Sequence, residues 1–306
     1  MKAIKNRFQV FVLAVLTCVL SMQGQREAQY TQYMYNTSLI NPAYAGNEDV
    51  LKISALHRSQ WVGVNGAPST QTLNIEDKII GNLGGSLNIS KDAIGPVSEV
   101  LFDANISYAV QLTSTGKLAF GLKAGGRLLD IDLNKGNLRD YQSPAATNVK
   151  DSEFSPVLGA GLYYYTDRGY LGVSASNLLK NNYYDNDNGS NLDNSHFYLI
   201  GGYVFDLSES LKFKPAMMVK AVVGAPYSFD FSANFMYQEC LVMGAAYRYN
   251  AAVSGLLGIH VTKQFFVGYA YDYDLELNQN VSGGSHEIFI GLRFSLDKSY
   301  ESPRFF

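Results

Sequence analysis

Residues Glu99–Leu112 alternate without interruption, and the length of that run limits what the chain can become. Val100, Phe102, Ala104, Ile106, Tyr108, Val110 and Leu112 share one face. Glu99, Leu101, Asp103, Asn105, Ser107, Ala109 and Gln111 share the other. A period of two belongs to a β-strand. Soluble strands average about 5–6 residues, whereas a tilted strand crossing a bilayer needs about 9–11. The alternation returns in Lys117–Arg127, Tyr227–Gln238, Phe265–Asp274 and Glu287–Leu296. Such strands suit either a soluble sandwich, apolar faces together, or a membrane barrel, apolar faces in lipid. Three features favour the barrel. The strands are long, tyrosines such as Tyr227 and Tyr237 end the apolar rows where an aromatic girdle lies, and the polar rows carry Gly, Ser, Asn and Asp rather than a Lys/Glu mixture. Composition agrees: charged residues make up 17% of the chain, against about 25% in ordinary soluble domains.

The sequence therefore predicts an all-β fold, a transmembrane antiparallel up-and-down β-barrel of about 14 strands. The strands are read at 50–57, 69–75, 83–90, 98–112, 117–130, 156–166, 169–176, 196–206, 211–221, 227–238, 240–248, 251–260, 264–274 and 286–296. Tight connections (Thr113–Gly116, Thr166–Gly169, Leu207–Ser210, Glu239, Thr262–Lys263) alternate with polar connections at 131–155, 177–195 and 275–285. Short turns on the periplasmic side and longer loops outside are the outer-membrane arrangement.

Before the barrel, Lys2, Lys5 and Arg7 precede the apolar run Phe8–Leu20, which is too short to span a membrane as a helix. Residues 1–24 are read as a secretory signal peptide, cleaved within 21–25, with Cys18 lost on cleavage. Residues 25–49 then form a periplasmic lead-in segment, 50–296 the barrel, and 297–306 a C-terminal tail.

The search for chemistry returns little. A net charge of -3 gives no basic footprint for nucleic acid. No phosphate loop, zinc spacing or catalytic constellation appears, so no catalytic, metal or cofactor residues are assigned. His57, His196, His260 and His286 each lie at a strand end without a ligand partner at a useful spacing. Ser285-His286-Glu287 holds the groups of a triad, but adjacent strand residues point to opposite faces. The loop Asp185–Asp193 has a calcium-like composition, but its Gly189 falls at the fifth position and no Glu closes it. The lumenal rows carry Glu99, Asp103, Lys123, Arg127, Asp230, Arg248, Asp272, Glu287 and Arg293. These form either a polar conduit and docking wall or a paired interior network; pairing is the rule for buried charges.

Several short motifs carry a family resemblance: Gln29-Tyr-Thr-Gln-Tyr-Met34, Asn41-Pro-Ala-Tyr-Ala-Gly46, Arg58-Ser-Gln60-Trp61, Gly66-Ala-Pro68, Tyr271-Asp272, Gly284-Ser-His-Glu-Ile288 and Ser302-Pro-Arg-Phe-Phe306. Their order resembles the PorP/SprF family of type IX secretion outer-membrane proteins, over essentially the whole mature chain. The resemblance implies a barrel in the outer membrane of a Gram-negative bacterium. Its implied partners are outer-membrane lipid, components of the secretion or gliding machinery, and a secreted, adhesin-like substrate with a C-terminal sorting domain. Candidate partner-binding residues are Arg58, Gln60 and Trp61, with Tyr141, Tyr183 and Tyr184 in the long loops. Trp61, the one tryptophan, is alternatively a membrane-interface anchor. A transporter or channel for small or hydrophobic solutes is the competing function; a barrel enzyme such as a lipase is weakest, for want of a triad.

Overall fold

The computed structural model describes residues 30–48, 50–132, 152–179, 181–182, 192–193, 195–223, 225–275 and 282–294. Fourteen long strands form the wall: β1 Leu51–Ser59, β2 Ser69–Ile80, β3 Leu83–Ile94, β4 Val97–Gln111, β5 Lys117–Ile131, β6 Ser152–Tyr165 and β7 Gly169–Ala175, then β8 His196–Tyr203, β9 Leu211–Val222, β10 Ser228–Tyr237, β11 Leu241–Arg248, β12 Ala252–His260, β13 Phe265–Asp274 and β14 Ser285–Phe294. Each pairs antiparallel with its sequence neighbours, and β1 pairs with β14 from Leu51↔Phe294 to Ser59↔His286. That last pairing closes the sheet, so no strand edge is left as a free row of donors and acceptors. Two-residue pieces extend the wall at Phe205–Asp206 and form a small hairpin between Asn181–Asn182 and Leu192–Asp193.

The alternation read in sequence is a physical inside and outside. Along β2, Thr70, Thr72, Asn74 and Glu76 are buried while Leu73 and Ile75 are exposed; along β4, Asp103, Asn105 and Ser107 are buried while Phe102, Ile106 and Tyr108 are exposed. Exposed Leu, Ile, Val and Phe make sense only where the surrounding medium is hydrocarbon. Aromatic rings gather at both ends of the wall. Tyr203, Phe205, Phe213 and Phe235 follow one another at centroid spacings of 4.8, 6.2 and 4.8 Å, and at the opposite end Phe229 lies 6.5 Å from both Tyr227 and Tyr249. These are the two interfacial girdles of a membrane barrel.

Strand number and order match the sequence reading, but β2, β3 and β6 are longer than expected, reaching Ile80, Ile94 and back to Ser152. Charged residues such as Asp77, Lys78, Lys91 and Asp92 mask the alternation there, and a register shift between Lys78 and Ile80 breaks it outright. The turns after β2, β4, β6, β8, β10 and β12 lie at one end, together with the start of β1 and the end of β14. By the rule for outer-membrane barrels this is the periplasmic end. The segment expected as a lead-in does not stay outside the wall: residues 30–48 run inside the barrel.

Candidate functional site

The lumen is filled by the chain's own segment. Tyr33–Tyr35, Thr37–Leu39 and Pro42–Tyr44 form three short 3-10 turns, and Tyr33, Met34, Tyr35, Ala43 and Tyr44 are buried. They pack with Tyr163, Tyr198, Met218, Phe266 and Phe289 of the wall in one apolar cluster. Tyr35 lies 4.8 Å from the Phe266 ring and 5.0 Å from Phe289, and Tyr44 meets Tyr163 edge-on at 5.4 Å. The barrel thus has a hydrophobic core, built by the plug and the inner face of the wall together.

An irregular backbone inside a barrel needs partners for its amides and carbonyls. The wall's polar rows supply them. Lys123 Nζ donates to the Leu39 carbonyl at 2.7 Å, Asn105 Nδ2 to Ser38 O at 3.0 Å and Ser174 Oγ to Ile40 O at 2.8 Å. Ser107 Oγ donates to the Ala45 carbonyl. In the other direction Asn41 Nδ2 donates to Leu162 O at 3.0 Å. The Asn41 side chain also accepts from Ala43 N at 3.0 Å, capping the turn that Pro42 begins.

The tightest fastening is at the outer end of the lumen. Arg58, on β1, is 2% exposed and sits between two carboxylates, Asp272 of β13 at 2.6 Å and Glu287 of β14 at 3.1 Å. The Glu287 oxygens also accept the Thr31 and Gln32 backbone N–H groups at 2.9 and 2.7 Å. Thr31 Oγ1 accepts from Arg58 at 3.0 Å and donates to Asp272 at 2.7 Å. One cation and two carboxylates leave a formal charge of −1, which the plug's two amide dipoles and a hydroxyl face. Buried charges persist only when paired in this way, and of the Arg58 guanidinium nitrogens only Nε has no hydrogen-bond partner among the described residues.

The remaining expected lumenal charges are brought together in pairs. Arg127 meets Glu99 at 3.1 Å, Lys123 meets Asp103 at 3.7 Å and Arg248 meets Asp230 at 2.7 Å. Arg293 lies 3.8 Å from the plug's Glu48, a partner the sequence reading did not include. Nor did it include the buried Lys52–Glu76 pair at 3.1 Å, or the amide relay in which Asn74 donates to Asn88 at 2.7 Å and Asn88 to Asp103 at 2.6 Å.

Of the candidate partner-binding residues, Arg58 faces inward and binds the plug. Gln60 and Trp61 lie in the loop after β1: Gln60 N donates to Pro68 O at 2.9 Å and Trp61 N to Ser285 Oγ at 3.3 Å. Val62 exchanges backbone bonds with Gly283 and Gly284, so this loop is laced to the base of the loop before β14. Tyr141, Tyr183 and Tyr184 lie outside the described residues, as do most of the long loops, the calcium-like stretch, the signal peptide and the tail. His286 turns outward and its ring nitrogen lies 2.6 Å from the Tyr269 hydroxyl, while Ser285 and Glu287 turn inward. The three adjacent residues do not converge.

A second feature escaped sequence reasoning. Gly84, Ser107, Gly121, Gly161 and Ser174 lie on successive strands β3 to β7 and are direct register partners, each of the next. All face the plug segment Ile40–Gly46. A Cβ on Gly84 would stand 2.2 Å from Ala45 O, on Gly121 2.1 Å from Ala43 N, and on Gly161 2.1 Å from Asn41 Oδ1. Two of these three contacts are backbone against backbone, so larger side chains would push plug and wall apart.

Fold and site together define an outer-membrane β-barrel with an internal plug. The family described as type IX secretion system membrane protein PorP/SprF matches residues 22–292, and the chain belongs to that family. A comparison with curated proteins finds no match. Among solved structures, the monoaromatic hydrocarbon channel CymD aligns at 11% identity over 91% of this chain and 96% of its own, with a TM-score of 0.51. The Ralstonia pickettii toluene transporter TbuX aligns at 10% identity over 85% of this chain and 93% of its own, with a TM-score of 0.50. At such identities the likeness is one of fold.

Proposed function

We propose that this barrel is a non-enzymatic docking component of type IX secretion, which engages a secreted, adhesin-like substrate or the secretion and gliding machinery at its outer face. The observation that carries the reading is the occupied lumen: residues 30–48 fill the space a solute would use, and the nine lumenal charges expected from the sequence all sit in ion pairs with one another, with Arg58 or with the plug. A barrel so filled offers a rigid platform with loops at its rim. The loop Gln60–Pro68, held by its bonds to 283–285, presents Trp61 and Val62 near the outer opening, where the described strands β5 and β7 also end.

The competing reading, passage of a hydrophobic solute, draws on the fold shared with the monoaromatic hydrocarbon channel CymD and the toluene transporter TbuX. It requires the plug to move. The two are separated by replacing 181–193 with a short Gly/Ser linker. The docking reading expects an assembled, heat-modifiable barrel that no longer copurifies with its secreted partner, the partner being released or degraded. Unchanged copurification removes this loop from the docking surface. Toluene uptake by the purified wild-type protein in liposomes would replace docking with transport.

A further inference from the structure

The row of small residues that seats the plug has a consequence on the opposite side of the wall. A round barrel is convex outside, so its exterior encloses no volume. Here the exterior of β3 to β9 carries an open apolar groove of about 920 Å³. Its sides are outward-facing residues, among them Ile106, Tyr108, Phe120, Leu122, Leu162 and Phe197, each between 42% and 63% exposed. Its floor includes Ser107, Gly121, Gly161 and Ser174, whose side-chain positions face the plug. The wall is drawn inward where it lacks side chains to keep it off Asn41–Ala45, and the groove is the outer face of that indentation.

The groove follows the register row. On β3 it begins at Leu83, the first residue above the periplasmic turn, and on β9 it ends at Ala221, one residue from the outer end of that strand. Crossing seven strands about 4.8 Å apart, it runs roughly 29 Å, long enough to take an extended acyl chain end to end. Its volume is at the upper end of the roughly 300–1,000 Å³ typical of ligand sites. Ser107 and Ser174 direct their hydroxyls to plug carbonyls, so neither offers the groove a hydrogen bond. The groove is continuous with the lipid-facing band on both sides. Nothing in it suits a hydrated solute, and its lower mouth opens at the level of the periplasmic leaflet.

We propose that this groove is a fixed lipid site, holding an acyl chain of a glycerophospholipid from the periplasmic leaflet. The occupant completes a sandwich: plug on one side of the thin glycine-rich wall, acyl chain on the other. A small aromatic hydrocarbon would leave most of so long a groove unfilled.

The test uses the full-length protein in liposomes containing phosphatidylethanolamine with a photoactivatable acyl chain. Crosslinks should concentrate on the segments 117–131 and 152–165 rather than spread evenly around the wall. In mild detergent the wild type should retain phospholipid through exchange, as should a Leu257→Trp variant, whose change lies on the outer face of β12, away from the groove. The Leu122→Trp/Leu162→Trp variant, which fills the groove, should lose most of it while remaining heat-modifiable. Even crosslinking around the barrel overturns the proposal, as does equal retention by the filled variant. Retention of lipopolysaccharide or toluene in place of phospholipid also overturns it. The crosslinking arm needs no substitution, so the proposal stays decidable if the filled variant does not assemble.

Discussion

Replacing Arg58 by methionine tests whether the outer clamp holds the plug. Methionine keeps much of the volume and removes the charge, leaving Asp272 and Glu287 buried together without their cation. Removing one partner of a buried ion pair costs about 3–5 kcal/mol. The hydrogen bonds Thr31 and Gln32 give to the two carboxylates remain. The cheapest relief is therefore for residues 30–32 to leave and admit water, and the penalty corresponds to roughly 10²- to 4 × 10³-fold more opening of that end. Glu287→Gln is the milder perturbation. It takes the cluster from −1 to neutral and keeps the Arg58–Asp272 bridge, but the amide's NH₂ faces one of the two plug N–H groups, at about 1–3 kcal/mol. The readout is modification of Met34→Cys, a position 2% exposed in the plug, by a membrane-impermeant maleimide, after the exposed Cys240 has been changed to serine. Labelling should be slow in the parent, faster with Glu287→Gln and fastest with Arg58→Met, the barrel remaining heat-modifiable throughout. Equal labelling in all three would refute the clamp. Faster labelling with Glu287→Gln than with Arg58→Met would refute the charge argument and leave only the loss of an acceptor.

Two further perturbations address the wall. Phe231 is half exposed on the lipid face, so Phe231→Arg should cost about 2–4 kcal/mol near mid-membrane and reduce the heat-modifiable band. Its neighbour Ser232 is buried beside Asn234; an arginine there would meet the plug rather than an open lumen, so the informative control is Ser232→Ala, expected to assemble normally. A Cβ at Gly121 stands 2.1 Å from Ala43 N, and ordinary contact begins at 3.4 Å, so Gly121→Leu requires a separation of about 1.3 Å (3.4 − 2.1) between wall and plug. That overpacking costs about 1–3 kcal/mol and should speed Met34→Cys labelling, whereas Gly255→Leu, with no atom within 4 Å, should leave it unchanged.

The wall was legible because lipid imposes a rule on every strand: one face apolar, period two, about ten residues. The lumenal pairs were nearly legible for the same reason. Asp230 and Arg248 are direct register partners, and Lys123 pairs beside Asn105, two residues along β4 from Asp103. The inward position of Arg58 was legible in its own strand. It shares the parity of Lys52, Ser54 and Leu56, which are buried, whereas His57 turns outward. The neighbouring Trp61 suggested an exposed rim, but parity outweighs proximity on a strand.

The plug was hidden for a different reason. Sequence patterns report side chains, and the plug is held largely by backbone: the amides of Thr31 and Gln32 and the carbonyls of Ser38, Leu39, Ile40 and Ala45. Its seat is written as missing side chains, at Gly84, Gly121 and Gly161, far apart in sequence and joined only once the register is known. A polar row in a barrel was read as a conduit, a docking wall or a network of charges paired across the lumen. Here it faces a folded peptide, and that difference accounts for its composition. Water tolerates Lys and Glu of any length. A peptide seated against the wall demands short donors, paired charges, and glycine where two backbones touch, and that is the set of residues the rows contain.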